Sequence, residues 1–266
     1  MALIDRLIGT KRQRFTSLVR VIASRNVRVR YRGSTLGILW SVSNPLIMTL
    51  VYAAVFGHAF RKYYGDQTSH YIAALFVGLS VMSFFSNATS QAMQAVVSNG
   101  MLLNKMQVPS LVFPVSTVVS NAVQLVVGTL PAVAILGMLV GHGFVWLPLL
   151  VVPFASLFAL ALGVALVLSA LYVFFRDIPY LYELTYFAVF VATPIFYPLA
   201  IVEERYRPFI AYSPLTMIVE SIRAIVVNGT APDPLVIIAS LASSLAILTL
   251  GFFVFRSASR SFMDYL

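Results

Sequence analysis

Cysteine is absent from the 266 residues, so neither a disulfide framework nor a thiolate metal site can be built. Charge is scarce as well: 10% of residues are Asp, Glu, Lys or Arg, against roughly a quarter in an average soluble domain. Between Lys105 and Arg176 there is none, and a stretch of that length holds two bilayer spans at about 20 residues each. Only three lysines occur and no G-x-x-x-x-G-K-[ST] loop, which excludes a nucleotide cradle of that kind, so any ATP must be hydrolysed elsewhere. The three histidines, His58, His70 and His142, lie in or beside loops without paired-ligand spacing, and no metal site is read from them. No acidic residue stands in the middle of an apolar stretch, which disfavours the carboxylate relays of proton-coupled carriers. Asp177 and Glu183, six apart, read as a solvated loop rather than a general acid and base.

What is present is apolar: 60% of the chain is hydrophobic, and the pattern predicts an all-α integral membrane protein with a single transmembrane domain and six spans. These are expected at residues 34–60, 71–97, 112–140, 147–175, 180–198 and 235–255, after a cytoplasmic segment at 1–33. The third and fourth are divided by the Gly141-His142-Gly143 break, and Pro45 predicts a kink in the first. The segment 199–234 holds Glu203, Glu204, Arg205, Arg207, Glu220 and Arg223, too many charges for an ordinary span. Within it, Ser213-Pro214 offers a helix start, Leu215, Ile218, Ile222 and Ile225 repeat at helical spacing, and Asn228-Gly229 supplies a stop. A helix of about 14 residues is roughly 21 Å long, shorter than a hydrocarbon core of about 30 Å, so it must dip in or lie on the surface.

The formal charge of +9 is uneven: half of the 18 Lys and Arg precede residue 33, and 13 fall on the sides that six spans would leave in the cytoplasm. This bias points to a membrane surface rather than nucleic acid and places both termini in the cytoplasm. From Phe15, the residues Leu18, Val19, Ile22 and Val29 share one helical side while Arg14, Arg20, Arg25 and Arg28 fall elsewhere, an interfacial amphipathic helix. Anchoring to anionic lipid explains these arginines most simply. The sharper reading is that Arg25, Arg28, Arg30 and Arg32 also grip a phosphate on a lipid substrate through bidentate pairs. In the second span, Asn87, Ser90, Gln91 and Gln94 must face other helices or a wet cavity.

Several motifs stand in order along nearly the whole chain: YRGSTLGILWSVSNPLI at Tyr31 to Ile47, LLNKMQVPSLVFP at Leu102 to Pro114, FFRDIPYL at Phe174 to Leu181, and TPIFYP at Thr193 to Pro198 with YSPLTMIVESIR beyond it. Together they resemble the permease subunits of ATP-binding-cassette polysaccharide exporters, of the kind that carries lipid-linked O-antigen or wall teichoic acid. The resemblance implies a homodimer of six-helix subunits joined to two copies of a separate ATPase. That partner would hold ATP and Mg, this chain binding no cofactor, and a polyprenyl-linked polysaccharide would pass along the subunit interface of the inner membrane. It also implies coupling contacts at Asn104 and Lys105 and at Arg176 and Asp177, and an external gate of two short re-entrant helices within 199–234. Aromatic faces suit a sliding sugar polymer, and Trp40, Tyr52, Phe84, Phe85, Phe187, Phe190, Phe196 and Tyr197 are the candidate channel-lining rings, although interfacial belts use the same residues. The alternatives are a drug or small-lipid exporter of the same architecture and, further off, an intramembrane enzyme.

Overall fold

The structure, a computed structural model, describes residues 11–65, 67–105, 108–140 and 144–265, with side chains placed for all of these but 11, 12, 104, 105, 144 and 145. The described residues form helices joined by turns and short extended segments, with no strand among them. They form α1 (Lys11–Arg30), α2 (Trp40–Phe60), α3 (Thr68–Ala95), α4 (Gly100–Lys105), α5 (Val112–Leu139), α6 (Val151–Phe174), α7 (Ile178–Ala192), α8 (Arg207–Ala211), α9 (Pro214–Val226) and α10 (Pro234–Ala258). Extended by their flanking 3-10 turns where these occur, α2, α3, α5, α6 and α10 are long and apolar enough to cross a membrane. The expected break at Gly141-His142-Gly143 lies outside the described residues.

Helix α3 is the centre of the bundle. Ala73, Ala74, Ser80, Ala88 and Ala92 keep its surface low on several sides, so neighbouring backbones approach closely, and 78% of its spanning window is buried. Its large side chains, among them Phe76, Leu79, Met82, Phe84 and Phe85, join Leu157 and Leu160 of α6 and Ile218 and Ile222 of α9 in one core. The tightest crossing joins α6 to α10: a Cβ added to Gly251 would lie 2.2 Å from the Gly163 carbonyl oxygen, a distance only two glycines permit.

Two helices depart from regular α geometry. Pro45 sits inside α2, which denies the Ser41 carbonyl its partner, while Thr49 Oγ1 donates to the Pro45 carbonyl at 2.7 Å. Helix α5 carries a π-helical turn at Leu125–Thr129. The fifth expected span is shorter than its pattern suggested. Helix α7 has 15 residues, about 22 Å, and ends five residues before Tyr197 because Thr193 precedes Pro194 and is held extended, at ψ 129°. It also buries no residue, and only 11% of the α2 window is buried.

Helix α9 realises the expected short helix beginning at Pro214. Gly229 takes the left-handed turn that ends it, at φ 61°, though Ser213 supplies no side-chain cap. Nearly every face of α9 is buried, so it lies within the bundle.

Candidate functional site

Aromatic rings form a continuous run from α7 through the segment after it to α2, the two least covered helices, and on to the start of α3. From α7, Tyr182, Tyr186 and Phe190 step at four-residue spacing, with centroids 6.1 and 6.3 Å apart. Phe190 meets Phe196 at 6.4 Å, and Phe196 stacks on Tyr52 of α2 at 5.6 Å with planes 8° apart. The run continues through Phe56, Phe60, Tyr71 and Tyr64. It is anchored by hydrogen bonds: the Tyr182 hydroxyl pairs with Thr89 Oγ1 at 2.6 Å, Tyr71 donates to the Phe196 carbonyl at 2.8 Å, and Tyr197 donates to the carbonyls of Val191 and Ala192 at the end of α7.

Of the eight rings singled out in the sequence, Tyr52, Phe190, Phe196 and Tyr197 come together here. Trp40 and Phe187 are exposed but stand apart from the run. Phe84 and Phe85, at 6% and 7% exposure, lie in the protomer core rather than in this run, because α3 is enclosed on the sides they occupy. Sequence reasoning passed over Tyr182 and Tyr186, which were legible as an i, i+4, i+8 stripe with Phe190.

The basic segment divides in two. Arg25, Arg28 and Arg32, with Arg20, line an open concavity of about 840 Å³ beside α1. Val29, expected on the apolar side, is 62% exposed and lines the same concavity. Arg30 points elsewhere. It lies seven residues after Ala23 and eleven after Val19, both buried, which is about 20° from each at 100° per residue. This spacing alone sets it on the face that packs against α5. Its guanidinium donates to Gln124 Oε1 at 2.7 Å, to Asn121 Oδ1 at 3.2 Å and to Gln91 Oε1, while the Tyr31 hydroxyl donates to the same Gln124 oxygen at 3.0 Å. Partial burial pulls the Arg30 pKa below the ordinary guanidinium value, against the opposing effect of Tyr31. Of the polar residues flagged in the second span, Gln91 thus meets α1 and α5, whereas Asn87 and Gln94 are exposed.

At the turn between α6 and α7, Arg176 and Asp177 are both exposed. Arg176 lies over the Tyr172 ring, 5.4 Å from its centroid, and donates to the Tyr265 carbonyl at 3.4 Å, which ties this turn to the carboxyl-terminal segment. Asp177 precedes α7 without capping it by its side chain. Asn104 and Lys105 end α4, and their side chains lie outside the described residues.

A further node appears only in three dimensions. Arg223 of α9, 4% exposed, donates to the carbonyls of Ile195 at 2.6 Å, Pro194 at 2.7 Å and Ala74 at 3.1 Å, and to the Glu220 carboxylate at 2.8 Å. In the extended segment after α7 the carbonyls of Pro194 and Ile195 lie outside the helical ladder, and this guanidinium serves them. Gly78 makes room for it: a Cβ there would lie 2.9 Å from Ile195 and 3.2 Å from the Arg223 guanidinium.

The sequence profile of the ABC-2 type transporter family matches residues 17–227. An O-antigen export system permease protein, RfbA, of Myxococcus xanthus is 30% identical over 254 residues, covering 94% of this chain and 95% of its own. A protein of the same name from Klebsiella pneumoniae is 29% identical over 218 residues, 80% and 81% of the two chains. The polysialic acid transport protein KpsM of Escherichia coli is 22% identical over 255 residues, 92% and 95% of the two. The ordered motifs, the helical bundle and this match agree that the chain belongs to the ABC-2 type transporter family, as a multi-pass transport subunit rather than a catalytic one.

Proposed function

We propose that the chain is the permease of an ATP-driven exporter that moves a lipid-linked polysaccharide across the cytoplasmic membrane. The observation that carries this reading is the run of rings from Tyr182 to Phe56, set on the two helices that the protomer leaves most open. Stacked faces offer a sugar polymer apolar contact along its length with few strong hydrogen bonds to arrest it. The relatives named for O-antigen export and polysialic acid transport support the same class of cargo.

In this reading two copies meet through the apolar faces of α2 and α7, which otherwise leave Ile47, Leu50, Val51, Leu184 and Phe187 uncovered. Helix α7, extended by residues 193–198, is the fifth of six crossings, both termini are cytoplasmic, and residues 199–234 form the external gate with α9 as its buried arm. Two copies of an ATPase dock on α4, through Asn104 and Lys105, and on the turn at Arg176 and Asp177, and hold the ATP and Mg. Arg25, Arg28 and Arg32 receive the lipid phosphate at the cytoplasmic entrance.

The experiment is deletion of the gene, sugar analysis of the surface polymer, and purification of the tagged chain from its own host. Loss of a surface polysaccharide, with co-purification of an ATPase whose activity changes on Lys105→Ala or Asp177→Ala, is the expected result. An unchanged surface polymer together with loss of drug or lipid efflux would replace the cargo, and chemistry performed by the isolated chain would overturn the class.

A further inference from the structure

Behind the basic concavity lies a second polar site with different chemistry. Arg30 is a cation held by three neutral amide oxygens, from Gln91, Asn121 and Gln124, and no carboxylate among the described residues pairs with it. Next to this cluster, Ser41, Ser80, Ser83, Asn87, Asn121, Gln124 and Thr129 line a small chamber of about 30 Å³ between α2, α3 and α5. Asn121 and Gln124 belong to both.

Two donors here have no acceptor: Gln124 Nε2 and Ser80 Oγ are buried without a hydrogen-bond partner, on residues 7% and 4% exposed. A buried polar atom left unpaired is costly, and such atoms persist where a ligand or water completes them. The backbone around them is also irregular. Pro45 of α2 and Leu125 and Thr129 of the π-helical turn line the same chamber, and π turns concentrate at functional sites.

The lining holds no acid, several donors and a neighbouring guanidinium, so an anionic oxygen fits where a metal cation does not. We propose that Arg30, Gln124 and Ser80 form an internal oxyanion site that takes one phosphate-class group, distinct from the open concavity of Arg25, Arg28 and Arg32. An ionised acceptor attracts a guanidinium more strongly than a neutral amide oxygen does and can pair with it bidentately, so an arriving oxyanion displaces amide acceptors from Arg30, whose residue remains partly exposed. The chamber has room for one or two water-sized groups, enough for one or two oxygens of a phosphate to enter while the rest of the group remains outside. The site rests on the reading above only for the identity of that substituent.

The test uses the purified full chain in nanodiscs and follows its thermal midpoint by tryptophan fluorescence. One arm titrates inorganic phosphate into phosphatidylcholine discs, and the other varies phosphatidic acid within the discs. Saturable stabilisation in either arm is expected, the responding arm naming the source as free phosphate or lipid headgroup. Ser80→Ala removes a hydroxyl that pairs with nothing in the free protein, so it leaves the unliganded midpoint undiminished and weakens binding about tenfold. Arg30→Gln abolishes saturation. Ser243→Ala, whose hydroxyl bonds only within α10, changes nothing. Absence of saturation in both arms, or a Ser80→Ala chain that binds as tightly as the parent, overturns the site. Binding without loss of polymer export on gene deletion keeps the site and removes the transport reading; export without binding does the reverse.

Discussion

Arg223→Ala removes the one side chain that serves the carbonyls of Pro194 and Ile195. Leaving two buried acceptors unpaired costs about 1–3 kcal/mol each. The Glu220 pairing contributes little beyond this, because that carboxylate side chain is 41% exposed and pairs of this kind are worth under about 1 kcal/mol. The loss is therefore roughly 2–6 kcal/mol, toward the lower end where water can reach the freed carbonyls. By the scaling for domains of 150–250 residues, at about 2–4 °C per kcal/mol, the thermal midpoint falls by roughly 4–24 °C. Trp40 and Trp146 report unfolding. The absence of cysteine allows a local readout too: an Ile195→Cys chain, with its side chain 1% exposed in the parent, should be slow to react with a water-soluble maleimide and react quickly once Arg223→Ala is added. Glu220→Gln retains an acceptor and should cost under about 1 kcal/mol. An Arg223→Ala chain that melts within about 2 °C of the parent, a loss of at most about 1 kcal/mol, or a Glu220→Gln chain destabilised as much, would show that the carbonyl network does not hold this segment.

Gly251→Leu drives a side chain into the Gly163 backbone, 2.2 Å from the nearest added carbon; it should separate α6 from α10 and yield little folded protein at purification, while Ser243→Ala yields normally. If α7 crosses the membrane, single cysteines at Ser17 and Ser261 react from the same side of sealed vesicles; labelling from opposite sides would mean five crossings. Phe196→Leu stays apolar but loses the ring and its stack with Tyr52, so polymer export should slow several-fold while the destabilisation stays below the about 3–5 kcal/mol of a buried Phe→Ala change, whereas Phe85→Leu should act on stability alone.

How far the sequence carried the structure depended on whether a feature was periodic or distant. The long uncharged runs marked α2, α3, α5, α6 and α10, and Pro214 with Gly229 bounded α9, because each of these signals is local. The end of α7 was also local, in Thr193-Pro194, but the apolar run continuing through Tyr197 masked it. The burial of Phe84 and Phe85 was not legible, because composition does not say which sides of α3 are enclosed; that depends on α6 and α9 arriving from more than 70 residues away. Arg30 was legible in principle from its spacing to Ala23 and was lost by grouping it with the arginines around it. The Arg223 contacts to Ala74, Pro194 and Ile195 span up to 149 positions, and no pattern in one sequence announces them.

The uneven enclosure of the helices has an evolutionary consequence. Stability resides in α3, α6 and α9, while α2 and α7 contribute little of the packed interior. Replacements of their outward residues therefore disturb little of the protomer's interior, and in the proposed exporter lineages can explore new cargo chemistries there wherever the contact between copies is kept.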